Sequence, residues 1–154
     1  MPPLVVSNPQ SLKELVGKEI GVTEWFHLTQ ERIALFAEAT EDRQWIHLDQ
    51  ARANQESPYG TTIAHGFLTL SLISHFLKSA IQIQNGVRLA VNYGLNRVRF
   101  PGAVYVDSRI RARVALLDLK GLPDSVEATF AVTIERQQSE KPACVAEWIV
   151  RYYS

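Results

Sequence analysis

The sequence predicts an α+β fold in which an antiparallel sheet curls around one long apolar helix. Two observations lead there. From Ser57 to Leu77 there is no Asp, Glu, Lys or Arg, and Phe67, Leu68, Leu70, Leu72, Ile73, Phe76 and Leu77 would surround a helix axis on nearly every side, as in a helix wrapped by other structure. From Arg88 onward the apolar period changes from helical to two, the mark of strands. Helix first and strands afterwards is an α+β order, not the βαβ alternation of a nucleotide-binding sheet. Neither a G-x-G-x-x-G fingerprint nor a P-loop occurs.

The elements follow in order. Residues 1–11 read as an arm, because Pro2, Pro3 and Pro9 oppose regular structure. Lys18 to Leu28 reads as a first strand, with Ile20, Val22, Glu24 and Phe26 alternating. Thr29 is placed to cap a helix running to about Ala39, with Glu31 in its first turn. Asp49 is placed to cap a short second helix through about Asn54. Glu56 to Gly60 is a turn, Thr62 to about Ile81 the long apolar helix, and Asn85-Gly86 its end. Strands are expected over Arg88 to Phe100, Val104 to Leu117, Val126 to Arg136 and Ala143 to Tyr153. In the second of these Ile110, Ala112, Val114 and Leu116 face one way and Arg109, Arg111 and Arg113 the other. In the third, Val126, Ala128, Phe130, Val132 and Ile134 face inward. The last is apolar on both faces, which suits a central strand or a subunit contact. A curled antiparallel sheet around one central helix is the hot-dog architecture, expected here as one domain over 1–154.

Composition narrows the function classes. Hydrophobic residues make up 46% and charged residues 21% of the 154, with sixteen basic and sixteen acidic side chains. A neutral chain lacks the basic excess of a nucleic-acid or acidic-membrane binder. Pro58, Gly60, His65, Gly66 and His75, with three Thr and three Ser, make the 57–77 segment too polar for a membrane span. The single cysteine, Cys144, excludes an internal disulfide and a multi-cysteine zinc site; it reads as buried rather than reactive. With no basic n-region before an apolar stretch at the amino terminus, the sequence points to the cytoplasm.

Two stretches carry chemistry. In Thr40-Glu41-Asp42-Arg43-Gln44-Trp45-Ile46-His47 a carboxylate and an imidazole stand five residues apart, just past a helix end. Such a pair can hold one water and pass a proton, because histidine titrates near neutrality; equally, the Asp can cap a turn and the His lie on the surface. In Ile63-Ala64-His65-Gly66 a glycine enters the apolar helix, where backbone N–H groups are unpaired. The Gly66 N–H can hold the oxygen of a polarised carbonyl, or Gly66 can serve close helix–sheet packing. His65 alone reads as a hydrogen-bonded structural histidine. Arg97, Arg99, Arg109, Arg111 and Arg113 read as the solvated face of a sheet, paired with Glu127, Glu135 or Glu147, rather than as phosphate ligands.

Together the two stretches resemble the MaoC-like dehydratases, the family that includes (R)-specific enoyl-CoA hydratases. Asp42 and His47 match the family's Asp and the His five residues on, Ile63-Ala64-His65-Gly66 matches its motif at the start of the central helix, and Ser74 matches a serine further along. The block from Tyr93 to Pro101 resembles a strand and turn near the family's site. Glu41, Gln44 and Trp45 depart from the common Gly-Asp-x-Asn-Pro-x-His loop, and the pattern is most similar to the NodN-like branch. The resemblance implies reversible hydration of a trans-2-enoyl thioester to a (3R)-3-hydroxyacyl thioester. Gly66 would hold the thioester oxygen while Asp42 and His47 position the water, one taking its proton and the other supplying one to C2. Gln44, Trp45 and Ser74 would line the substrate site, with Ser74 alternatively bonded to its own helix backbone. It implies no metal or redox cofactor, coenzyme A as part of the substrate, and a homodimer. A thioesterase on the same fold, and an acyl- or acyl-CoA-binding module without catalysis, are the competing expectations.

Overall fold

The computed structural model describes residues 2–154. Met1 of the expected arm lies outside the described residues. The main sheet has the order β2-β6-β7-β8-β5, with β3 also paired to β6. Its strands are β2 (Glu19–Val22), β3 (Phe26–His27), β5 (Leu89–Arg99), β6 (Arg109–Gly121), β7 (Ser125–Arg136) and β8 (Cys144–Tyr153). All its pairings are antiparallel. The central helix packs on its concave face, giving the hot-dog fold. The period-two pattern sets that face: Ile110, Ala112, Val114 and Leu116 on β6 and Val126 to Ile134 on β7 are buried at alternate positions. β8 lies between β7 and β5, a central strand, and buries Ala146, Trp148, Val150 and Tyr152.

The expected arm is ordered. Leu4–Val6 forms β1, paired in parallel with β4 (Ile81–Ile83). A 3-10 turn follows over Pro9–Leu15, capped by Asn8, whose Oδ1 accepts from the Ser11 N–H at 2.9 Å. Proline suits this first position because its absent N–H is not needed there. Leu12, fully buried, carries the turn into the core.

The expected first strand breaks at Thr23 into β2 and β3. Here Thr23 N–H donates to the Ala112 carbonyl and the Ala112 N–H donates to Thr23 Oγ1, both at 2.9 Å. The hydroxyl stands in for a ladder carbonyl, so the edge bends without orphaning a buried donor.

Four short helices frame the site: α1 (Gln30–Thr40), α2 (Trp45–Leu48), α3 (Gln50–Glu56) and α4 (Gly66–Ser71). Thr29 and Asp49 cap α1 and α3 as expected, each accepting from the N–H three residues on. α1 ends at Glu41, in the left-handed region at φ 61°.

The central helix is shorter than its apolar content suggests. It runs as α4 and α5 (Ile73–Ala80), with an irregular step at Leu72. Residues 62–64 are extended instead, because their backbone groups have partners outside any helix: Ile63 N–H donates to Ile46 O, Ala64 N–H to Val104 O, and Val106 N–H to Thr62 O. At the far end Ile81 and Ile83 leave the helix to pair with β1, consistent with the β preference of branched side chains. The helix is also not enclosed on all sides by this chain, since Phe67 is 69% exposed. Residues 104–108, read as strand, lie outside the sheet: Tyr105 bridges to Ile63, and a turn over 105–108 is closed by Ser108 N–H to Tyr105 O.

The Thr23 exchange is testable. Thr23→Val keeps the shape but leaves the Ala112 N–H unpaired, and the expected loss in urea unfolding is about 1–3 kcal/mol. Thr23→Ser retains the acceptor and most of the stability.

Candidate active site

The two motif stretches meet, and three hydrogen bonds tie them together. Ile63 N–H donates to Ile46 O at 3.1 Å. His47 Nδ1 lies 2.7 Å from the Ile63 carbonyl, and His65 Nε2 lies 2.9 Å from the Asp42 carbonyl. A carbonyl oxygen only accepts, so each of these ring nitrogens carries a hydrogen. That leaves a lone pair on His47 Nε2 and another on His65 Nδ1. The two rings stack with centroids 3.7 Å apart and planes 23° from parallel, and Phe36 of α1 packs against His65.

His47 and His65 are 6% and 3% exposed, whereas Asp42 is exposed. Burial pushes the His47 pKa below its ordinary 6.5; the bond to Ile63 O opposes the shift, His65 adds to it and the Asp42 charge opposes it. The net direction is down, so His47 is neutral at pH 7.

A polar network fixes α2 from behind. Gln30 Nε2 donates to His47 O at 2.8 Å. The fully buried Thr62 hydroxyl lies 2.7 Å from Gln30 Oε1 and 2.9 Å from Gln50 Oε1, its one hydrogen serving one oxygen at a time. Neither Gln30 nor Thr62 stands out in the sequence, because a network across 32 residues leaves no local spacing to read.

A carboxylate oxygen of Asp42 and one ring nitrogen each of His47 and His65 lie within 4.8 Å of one another. A metal ion fits this set poorly. Imidazole lone pairs lie in the ring plane, and two stacked, near-parallel planes do not converge on one ion at the ~2.0–2.1 Å of a metal–nitrogen bond. A hydrogen-bonded water suits the spacing better, since two acceptors around one oxygen at the tetrahedral angle stand about 4.6 Å apart.

Gly66 is the first residue of α4, so its N–H has no partner within the helix. The structure also gives Gly66 a packing reason: a Cβ there would meet the Phe100 ring at 3.2 Å. The packing reading of Gly66 therefore holds, and its N–H is left without a partner inside the helix. Phe100, just past β5, falls in the Tyr93–Pro101 block that the resemblance places near the site, although the sequence did not single it out.

Ser74, on α5, lies at the junction of two connected grooves. One, of about 550 Å³, runs between α5 and the sheet past Leu77, Val150 and Tyr152; the other, of about 350 Å³, runs back along α4 past Phe67 and Leu70. Ser71 and Ser79 bond to carbonyls of their own helices; Ser74 makes no such bond among the described residues and faces both grooves. Trp45 and Gln44 lie away from these grooves. The Trp45 ring carries the Arg52 guanidinium at 4.1 Å, and Gln44 caps α2 without a side-chain bond, its N–H 3.4 Å from Asp42 Oδ1.

Of the five sheet arginines, Arg111 and Arg113 pair with Glu135, while Arg97, Arg99 and Arg109 make no ion pair among the described residues; Arg151 pairs with Glu127. Cys144 is buried, and burial pushes its thiol up to about 11, which suits a packing role. No helix among the described residues is long and apolar enough to cross a membrane.

Comparison with known proteins gives the family. The family model described as MaoC like domain matches residues 11–138. The chain belongs to the MaoC-like dehydratase family. It is 50% identical over 142 residues to 3-hydroxyacyl-thioester dehydratase Z of Mycobacterium tuberculosis, covering 92% of this chain and 93% of that one. It is 42% identical over 139 residues to Nodulation protein N of Rhizobium meliloti, covering 90% and 86%. Among solved structures, the (R)-hydratase from A. caviae involved in PHA biosynthesis superposes with a TM-score of 0.71 at 27% identity, over 88% of this chain and 94% of that one.

The Gly66–Phe100 contact yields a prediction. Gly66→Ala sets a methyl 3.2 Å from the partly exposed Phe100 ring, which must give way by a few tenths of an ångström, and is expected to cost less than about 1 kcal/mol in thermal unfolding once the helix preference of Ala over Gly is counted. Adding Phe100→Ala relieves the clash, so the double variant is more stable than the sum of the single changes allows.

Proposed function

We propose that the protein hydrates trans-2-enoyl thioesters reversibly to (3R)-3-hydroxyacyl thioesters, with coenzyme A entering as part of the substrate. The observation that carries this is the meeting of an Asp42 carboxylate, a neutral His47 and the free Gly66 N–H at the junction of two cross-tied loops. The name and 50% identity of the mycobacterial relative support the same reaction.

The roles we assign are these. The thioester oxygen accepts from Gly66 N–H, which stabilises the enolate-like charge that develops as water attacks C3. Asp42 and His47 hold that water by its two hydrogens. His47 takes the proton, because its Nδ1–H is committed to Ile63 and its Nε2 lone pair is free. As the water oxygen bonds to C3, the double-bond electrons move toward the thioester. The proton on His47 then passes to C2, which restores neutral histidine. Asp42 orients the water and offsets the transient imidazolium charge. In dehydration the same steps run backward.

The groove beside Ser74 takes the acyl chain, with the Ser74 hydroxyl at its entrance. Gln44 and Trp45 act at the mouth of the catalytic loop, shaping approach rather than lining the chain's path. A second copy of this chain completes the unit. β5 pairs only with β8, leaving an open edge, and Leu89, Val91, Tyr93 and Leu95 along it are exposed, Tyr93 to 55%. A long apolar edge strand of this kind is an association surface, and we assign it to a homodimer. A single, buried cysteine suits a reducing compartment, and we place the enzyme in the cytoplasm.

The test is the enoyl-thioester absorbance of crotonyl-CoA with thiol release followed in parallel. Loss of absorbance without thiol supports hydration; free thiol means a thioesterase, and saturable binding with neither change means a binding module. Asp42→Asn and His47→Ala are each expected to fold: His47→Ala loses about 10²–10⁴ in turnover, the usual contribution of a general acid–base group, and Asp42→Asn, which keeps the shape but removes the charge that offsets the imidazolium, about 10²–10³, the scale of lost electrostatic stabilisation.

The pH profile follows from the direction of the His47 shift. The base must be neutral, so kcat/KM for hydration is constant near neutrality and falls only as pH drops through the His47 pKa. Because that value lies below 6.5, the acid limb is expected at lower pH than an ordinary histidine would give. A limb at or above 6.5 contradicts the assignment.

A further inference from the structure

Resting on the hydratase reading, we propose that His65 is a positioning residue for the reaction: it clamps the Asp42 backbone through Nε2–H and roofs the His47 ring. Both roles build on the hydrogen-bonded structural histidine that the sequence suggests.

The clamp comes first. Asp42 lies on the turn between α1 and α2, directly after the left-handed Glu41, and its side chain is exposed. Among the described residues, its carboxylate has only the 3.4 Å contact from Gln44 N–H to hold it. Arg43 pairs outward with Glu38. The bond from His65 Nε2–H to the Asp42 carbonyl therefore joins the catalytic turn directly to the residue before Gly66. It fixes the distance between the group that orients water and the amide that holds the thioester oxygen.

The roof is the second role. His65 stacks on His47 and excludes water from one face of it. The titratable groups facing His47 are Asp42, from the turn, and His65, from the start of α4; α1 presents Gln30 and Phe36, neither of which titrates.

One further observation separates this from ordinary packing. His65 Nδ1 is the one buried side-chain nitrogen or oxygen among the described residues with no hydrogen-bond partner. A buried polar atom that no protein group pairs is rare and calls for an explanation beyond packing. The side chain does not cap α4 either, so replacing it leaves the helix start intact.

Two substitutions separate the roles. His65→Phe keeps a flat buried ring over His47 and removes the clamp. His65→Gln places an amide N–H near the position of Nε2, keeping the clamp while removing the ring. In crotonyl-CoA hydration, the Phe variant is expected to lose about 10²-fold in kcat, the scale of a small misplacement of a catalytic group. Its KM and acid limb stay near those of the unsubstituted enzyme. The Gln variant is expected to keep most of kcat, while its acid limb moves up toward 6.5 as water reaches His47. A folded Phe variant with unchanged kcat overturns the clamp, and a Gln variant with an unmoved acid limb overturns the roof. Equal losses in both variants with unmoved limbs reduce His65 to a structural part and overturn the proposal. If the Phe variant proves insoluble, the Gln variant decides: a limb that rises while kcat is retained supports the proposal, and a lost kcat overturns it. Failure of the unsubstituted protein to hydrate crotonyl-CoA would instead overturn the hydratase reading itself.

Discussion

The site depends on a reciprocal exchange of hydrogen bonds between two loops that are distant in sequence. Residues 42–47 give His47 Nδ1–H to the Ile63 carbonyl, and residues 63–66 return Ile63 N–H to Ile46 and His65 Nε2–H to Asp42. Each bond uses a backbone group that would otherwise be left unpaired in the interior. The same bonds fix the histidine tautomers, which leaves lone pairs on the sides of the rings that carry no backbone bond. Satisfaction of the backbone and preparation of His47 for the base role proposed for it are here one event.

The exchange also explains the shape of the central helix. A helix starting at Thr62 would take Ile63 and Ala64 into α-helical geometry and withdraw them from Ile46, Val104 and His47. By staying extended until His65, the chain puts the first free amide of α4 at Gly66, beside the Asp42 turn. The Phe100 ring then covers the glycine's bare Cα, so a residue with no side chain serves both the packing and the exposure of its N–H.

Much of this was legible in the sequence because it rests on local pattern. The alternation in β6, β7 and β8, the caps at Thr29 and Asp49, and the spacing of Asp42 to His47 are all short-range signals. The helix start was not legible, because the apolar run continues upstream of Gly66 and its interruption is set by long-range bonds to β-type partners. β1 was masked by its flanking prolines, although Leu4, Val5 and Val6 are a strand-forming triplet whose parallel partner lies some 77 residues on, at Leu4 to Ile81. Trp45 reads as a pocket residue from its place between Asp42 and His47, yet a one-turn helix swings it toward Arg52. The importance of His65 emerges only when its hydrogen-bond partner, 23 residues away, is seen.

The central claim is that these two loops hold one water and one thioester so that addition occurs from a single face. The most direct measurement is the configuration of the product. After crotonyl-CoA is incubated with the enzyme, the 3-hydroxybutyryl-CoA formed can be oxidised by dehydrogenases specific for either the (3R) or the (3S) form. The account predicts oxidation by the (3R)-specific enzyme alone, with no free thiol released. A (3S) or racemic product would contradict it.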